Sequence, residues 1–167
     1  QKIRKFDSSI LSKMVYWVCI VISIYHVYTA IFGAPATLKH RSLHVSMMLV
    51  LSFLNYPFNK KASMKNLPKY DLILAVLSLC VSLYMWVDYA NIISRAGIIN
   101  TMDMIVGTIL VLLVIDASRR ISGWPLTILA LLFIMYGLFG KNMPGIFAHR
   151  GYDWKALVNQ FFISTDG

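Results

Sequence analysis

The chain has 167 residues, of which 58% are apolar and only 14% charged, against roughly 45–50% and ~25% in soluble domains. A globule of this size cannot bury so much apolar surface, so the composition excludes an ordinary soluble domain and points to an integral membrane protein. The net charge of +9 does not argue for nucleic acid, because the basic residues fall in short clusters between apolar runs, as the loop charges of a multi-span protein do.

A membrane-crossing helix needs about 20 mostly apolar residues. Five runs approach that in chain order: Ile10–Phe32, Leu43–Phe58, Tyr70–Val87, Met102–Ile115 and Gly123–Phe139. The second stops at Pro57, where a helix does not easily continue. Lipid offers no partners to backbone N–H and C=O groups, so each run must satisfy its own, as a helix does. Apolarity is continuous along the runs, whereas a β-barrel requires alternation. The expected fold class is an all-α integral membrane protein.

Orientation follows from the Lys/Arg distribution. A cytoplasmic N-terminus places Lys2, Arg4, Lys5, Lys13, Lys60, Lys61, Lys65, Lys69, Arg119 and Arg120 inside. It leaves Lys39, Arg41, Arg95, Lys141, Arg150 and Lys155 outside. That imbalance favours the N-in arrangement, and five crossings then carry the segment after Phe139 to the outer face.

The fourth run is short. About twelve residues separate Asp103 from Asp116, or ~18 Å of helix, so a carboxylate lies at the edge of the hydrocarbon. Asp103 follows Asn100-Thr101 and suits the first turn of a helix. Asp116 has Arg119 and Arg120 at i+3 and i+4, which makes a local structural ion pair available. An intramembrane carboxylate is also a candidate ion site, but capping and pairing account for these two more simply. Beyond the fifth run, Asp153 can cap a helix. There Trp154, Leu157, Val158, Phe161 and Phe162 recur at amphipathic spacing, opposite Lys155, Asn159 and Gln160. That helix is too short and polar to span, and should lie at the interface.

His26 and His44 flank the first hairpin at similar depth, and His40 and His44 are i, i+4. Facing imidazoles in a helical bundle are how membrane b-type cytochromes hold haem, so a redox subunit using His26 and His44 is one alternative reading. The simpler reading is hydrogen bonding within and between helices. Cys19 and Cys80 sit inside apolar runs and form no metal or redox motif. Scattered Gly107, Gly123, Gly137 and Gly140 allow close helix contact rather than nucleotide binding. Aromatic residues near the run ends form an interfacial belt. No nucleophile–base pair, phosphate-binding loop or carboxylate pair is present, so the sequence gives no support for an enzyme, and no cofactor or metal is expected.

The segment Arg119–Gly167 carries "RR", "GW" opening the fifth run, "YGLFG" closing it, then "MPG", "HRGY" and a helix ending "STDG". It resembles the junction in fused membrane proteins of tripartite ATP-independent periplasmic (TRAP) transporters, in the branch served by TAXI-type solute-binding proteins. "HRSLHVSMMLVLSFLNYP" and "RAGIINTMDMIVGTILVLLVIDASRR" are also similar. The resemblance implies a small four-helix membrane domain over residues 1–120, a linker transmembrane helix and periplasmic loop over 121–152, and the start of a large membrane domain over 153–167. It implies a bacterial inner-membrane stator with no catalytic role, supporting sodium-driven uptake of small organic acids by its partners, the large membrane domain and a periplasmic solute-binding protein. In the fused family the chain continues into that large domain, so substrate and sodium residues are expected outside this sequence. Docking of the binding protein is expected on the outer loops Gly33–Ser42, Asn91–Asn100 and Lys141–Tyr152, with Arg95, Lys141 and Arg150 as the charged contacts. A structural subunit of an unrelated membrane complex is the other alternative.

Overall fold

The computed structural model describes residues 3–6, 9–58, 67–95 and 97–164. Seven α-helices run through them: α1 (Ser9–Phe32), α2 (Thr37–Asn55), α3 (Lys69–Val87), α4 (Tyr89–Ser94), α5 (Thr101–Ile121), α6 (Trp124–Phe139) and α7 (Trp154–Val158). The last widens into a π-helical turn over Asn159–Ile163, and short 3-10 turns cover Gly140–Asn142 and Gly145–Phe147. Among the described residues there is no strand.

Among the described residues, four segments are long and apolar enough to cross a membrane: Ile10–Phe32, Lys69–Val87, Thr101–Ile121 and Trp124–Asn142. The second apolar run is helical but falls short of that standard. Its helix starts at Thr37 rather than Leu43, and so takes in Lys39, His40 and Arg41, which lower its mean hydropathy. The outer loop expected at Gly33–Ser42 therefore shrinks to a few residues ending at Ala36. The fourth run is longer than its apolar stretch, because α5 continues past Asp116 to Ile121. The lysine-rich connection at residues 59–66 and Lys2 lie outside the described residues.

The chain divides into two compact units, Gln1–Val87 and Asp88–Gly167. Here α5, which the resemblance assigns to one domain with the first three spans, shares a unit with α6 and α7.

In the first unit the main contact joins α2 to α3. Leu49, Phe53, Ala75, Val81 and Met85 are buried, together with Ser46, Ser78 and Ser82. Where lipid surrounds helices, apolar area gives little drive for association, and small residues that let backbones approach take over. A serine in such a helix returns its proton to the preceding turn, as Ser78 Oγ does to Leu74 O at 2.8 Å. By contrast α1 presents most of its apolar side chains outward, among them Trp17 and Ile31.

The segment ahead of α1 is tied to the other two helices by Arg4. Its backbone N–H donates to Asn55 O at 2.7 Å, and its guanidinium to Leu54 O at 3.0 Å and Asp71 Oδ2 at 2.6 Å. Leu54 and Asn55 lie in the last turn of α2, whose carbonyls lack intrahelical donors. Asp71 lies in the first turn of α3, where the helix dipole favours a carboxylate. Both side chains of the ion pair are fully buried.

In the second unit α5 packs against α6 and α7. Gly107 is the point of closest approach: a Cβ there would lie 2.5 Å from Val158 Cγ1 and 3.2 Å from Phe162. Val158, Phe162 and Ile163 are buried, and Trp154 Nε1 donates to Thr108 Oγ1 at 2.9 Å. The apolar face of the terminal amphipathic helix is thus covered in part by α5. Asp153 caps that helix as its position suggested, accepting from the Ala156 N–H at 2.8 Å.

Candidate functional site

The described structure concentrates polar order where α6 ends. The six-residue run Tyr136–Lys141 and the returning stretch His149–Tyr152 lock together. The His149 backbone N–H donates to Gly140 O at 3.0 Å, and that of Tyr152 to Gly137 O at 2.9 Å. The His149 ring lies 3.0 Å, through Nε2, from Tyr136 O, and Gly151 N–H donates to its Nδ1 at 3.0 Å. Since Nδ1 accepts, the ring proton sits on Nε2 and points at the Tyr136 carbonyl. Three carbonyls in and just beyond the last turn of α6, those of Tyr136, Gly137 and Gly140, thereby accept from the loop. The ring also stands beside Tyr136, with centroids 4.7 Å apart and planes at 67°, an edge-to-face geometry.

Gly140 makes this possible. A Cβ at that position would fall inside the His149 imidazole. A second tie runs from the Tyr136 hydroxyl to Phe147 O at 2.9 Å. The outcome is a loop held at both its middle and its end while its tip, Ile146, is 95% exposed.

Of the three cations expected to dock a partner, two stand on this loop. Lys141 and Arg150 are exposed, and the Arg150 guanidinium carbon lies 5.0 Å from the centre of the Tyr152 ring, within cation–π range. The third, Arg95, is elsewhere in the unit and engaged. It donates to Asp88 Oδ2 at 3.0 Å and to both oxygens of Asp103 at 3.0 and 3.1 Å. Much of the expected Asn91–Asn100 loop is also ordered, with Asn91–Ser94 inside α4 and Asn100 capping α5.

Asp103 is therefore a structural carboxylate. It is buried, accepts the Asn100 N–H at 2.9 Å, and its own N–H donates to Asn100 Oδ1 at 2.7 Å, closing a reciprocal capping box. Asp116 bridges both arginines of the last turn: Arg119 Nη2 lies 2.6 Å from Oδ1, and Arg120 Nη2 lies 2.7 Å from Oδ2. Arg119 additionally covers the Trp124 ring, at 5.8 Å, across the α5–α6 turn.

The histidines meet, in a geometry of hydrogen bonding. His26 Nδ1 lies 2.7 Å from Ile22 O, so it carries the proton, and Nε2 accepts from His44 Nδ1 at 2.6 Å. A metal between two imidazoles needs about 4 Å from nitrogen to nitrogen, twice a bond of roughly 2 Å. The pair as arranged does not fit haem ligation. His40 is taken up in a 3.0 Å hydrogen bond to the Tyr25 hydroxyl. Among the described residues no cluster of three or more His, Cys, Asp or Glu is arranged to hold a metal ion.

No family model matches the chain, and no curated protein or solved structure is significantly similar to it.

Sequence reasoning missed the two pins, Arg4 and His149. Arg4 meets a partner 67 positions away. His149 binds backbone carbonyls, which carry no sequence signature. The one available signal was the density of glycine around it, in "YGLFG" and "HRGY".

Proposed function

We propose that the chain is the small membrane domain and linker helix of a TRAP-type secondary transporter in a bacterial inner membrane. In this reading it is a stator supporting sodium-driven, binding-protein-dependent uptake of small organic acids by a large membrane partner. The observation that carries the reading is the junction. Two of the motifs on which the resemblance rests, "YGLFG" and "HRGY", are the two halves of one lock, joined through Tyr136, Gly137, Gly140, His149, Gly151 and Tyr152. A junction that passes a chain from a braced helix to a moving domain needs a fixed end-point, and this lock supplies one. Lys141 and Arg150 stand on it where complementary charge on a binding protein can steer encounter.

Four apolar spans and a fifth, more polar helix are compatible with the N-in topology that the reading needs. Lys141→Cys and Arg150→Cys should react with a membrane-impermeant thiol reagent in intact cells; protection of both until lysis would reject the topology. Deleting the chain should abolish uptake that depends on the binding protein, and pull-down of the chain should bring a large polytopic membrane protein with it. Undiminished uptake in the deletion strain would reject the stator role.

A further inference from the structure

The α2–α3 pair forms an open groove of about 490 Å³, lined by Leu43 of α2 and by Val76, Leu79, Cys80, Leu83 and Trp86 of α3, with Ser82 the one polar residue in its wall. The α3 positions follow one helical stripe. The ten helical steps from Val76 to Trp86 rise about 15 Å, which is half of the roughly 30 Å hydrocarbon core and so the depth of one leaflet.

One end of the groove is charged. Lys39 Nζ lies 5.2 Å from the centre of the Trp86 ring, and Trp86 Nε1 donates to Lys39 O at 3.2 Å. Leu43, in the groove wall, is one turn beyond Lys39 on the same face of α2. Lys39, His40 and Arg41 all sit in the opening turns of α2, with no acidic residue in the first turn and no side chain capping it. Indole rings favour the headgroup level of a bilayer, which sets that end of the groove at the membrane surface.

We infer that this groove seats an anionic diacyl phospholipid, with its phosphate beside Lys39 and the start of α2 and one acyl chain along Trp86, Leu83, Leu79 and Val76. The charged end selects the headgroup, and the apolar length takes a chain of one leaflet. This assignment is independent of the transporter reading, since it uses only α2, α3 and a surrounding bilayer.

The test is native mass spectrometry of the full chain purified in detergent, titrated with phosphatidylglycerol or with phosphatidylcholine of the same acyl chains. Phosphatidylglycerol should be retained about tenfold better, and Lys39→Gln should weaken its retention about fivefold. Leu79→Trp, which fills the groove, should remove it. Equal retention of the two lipids would overturn the assignment. So would sensitivity to Lys39→Gln without sensitivity to Leu79→Trp, because the lipid would then lie outside the groove. Cys80 provides a readout that needs no bulky variant. It is exposed in the groove wall, and in a Cys19→Ala background phosphatidylglycerol should slow its alkylation by N-phenylmaleimide. An unchanged rate would overturn the proposal even if Leu79→Trp did not fold.

Discussion

Arg4 and His149 have the same task in the two units: each holds a non-helical segment against carbonyls left over at a helix C-terminus. Their means are opposite. Arg4 brings a full charge into a buried site and needs Asp71 to neutralise it. His149 brings a neutral ring, and needs only that Gly140 leave it room. A charged tie depends on its partner's presence, because an ion left alone in a low-dielectric interior is costly. A neutral tie depends on shape, and fails when the space is taken.

The comparison can be broken most forcefully at the charged tie. Arg4→Met should cost about 3–5 kcal/mol by removing the buried cation that faces Asp71, whereas Arg4→Met with Asp71→Leu should recover most of that loss. A thermal melt of the detergent-purified chain, followed by tryptophan fluorescence, reads both. A double variant no better than the single would mean that the charge pair is not what matters.

Gly140→Ala tests the neutral tie. It should expel the His149 ring, cost about 1–3 kcal/mol through the carbonyl left unserved, and open the loop to trypsin at Lys141 and Arg150. Adding His149→Ala should make matters no worse, since both changes remove the same contact. Additive losses would place the effect of Gly140 somewhere other than the ring.

Packing without polar groups gives a third point of reference. Gly107→Ala drives a methyl into Val158, so it should destabilise by about 1–3 kcal/mol and be relieved by Val158→Ala in the same melt. The smallest effect is expected at Arg119. Its pair with Asp116 is partly exposed on both sides, so Arg119→Gln should change the melt by no more than about 1 kcal/mol. A larger loss would show that the cover over Trp124, rather than the ion pair, is the useful contact.

How legible each of these was depends on the distance along the chain over which the interaction acts. The Asn100–Asp103 cap, the Asp116 bridge and the Asp153 cap all act within four residues, and each was readable from spacing. Helix existence was readable from the apolar runs for the same reason. The start of α2 was not. Lys39, His40 and Arg41 look like loop residues, yet α2 already runs from Thr37, with the Lys39 ammonium over the Trp86 ring of α3. The Arg4–Asp71 tie joins remote positions and leaves no periodic trace. His26 and His44 were correctly brought face to face by the hairpin argument, but spacing could not distinguish a gap wide enough for a metal from a direct hydrogen bond. Gly140 was read as a helix contact, yet it makes room for a side chain of the following loop.

The fastening of the loop at Phe147 and His149 has a thermodynamic corollary. A segment already confined to one shape surrenders little freedom when another surface settles on it, where each newly immobilised side chain would otherwise cost about 0.5–1.5 kcal/mol. Any complex formed at Ile146 and its neighbours would therefore owe part of its lifetime to an imidazole that never touches the visitor. Calorimetry on a loosened variant would register the change as a less favourable entropy of association, with the contacts themselves intact.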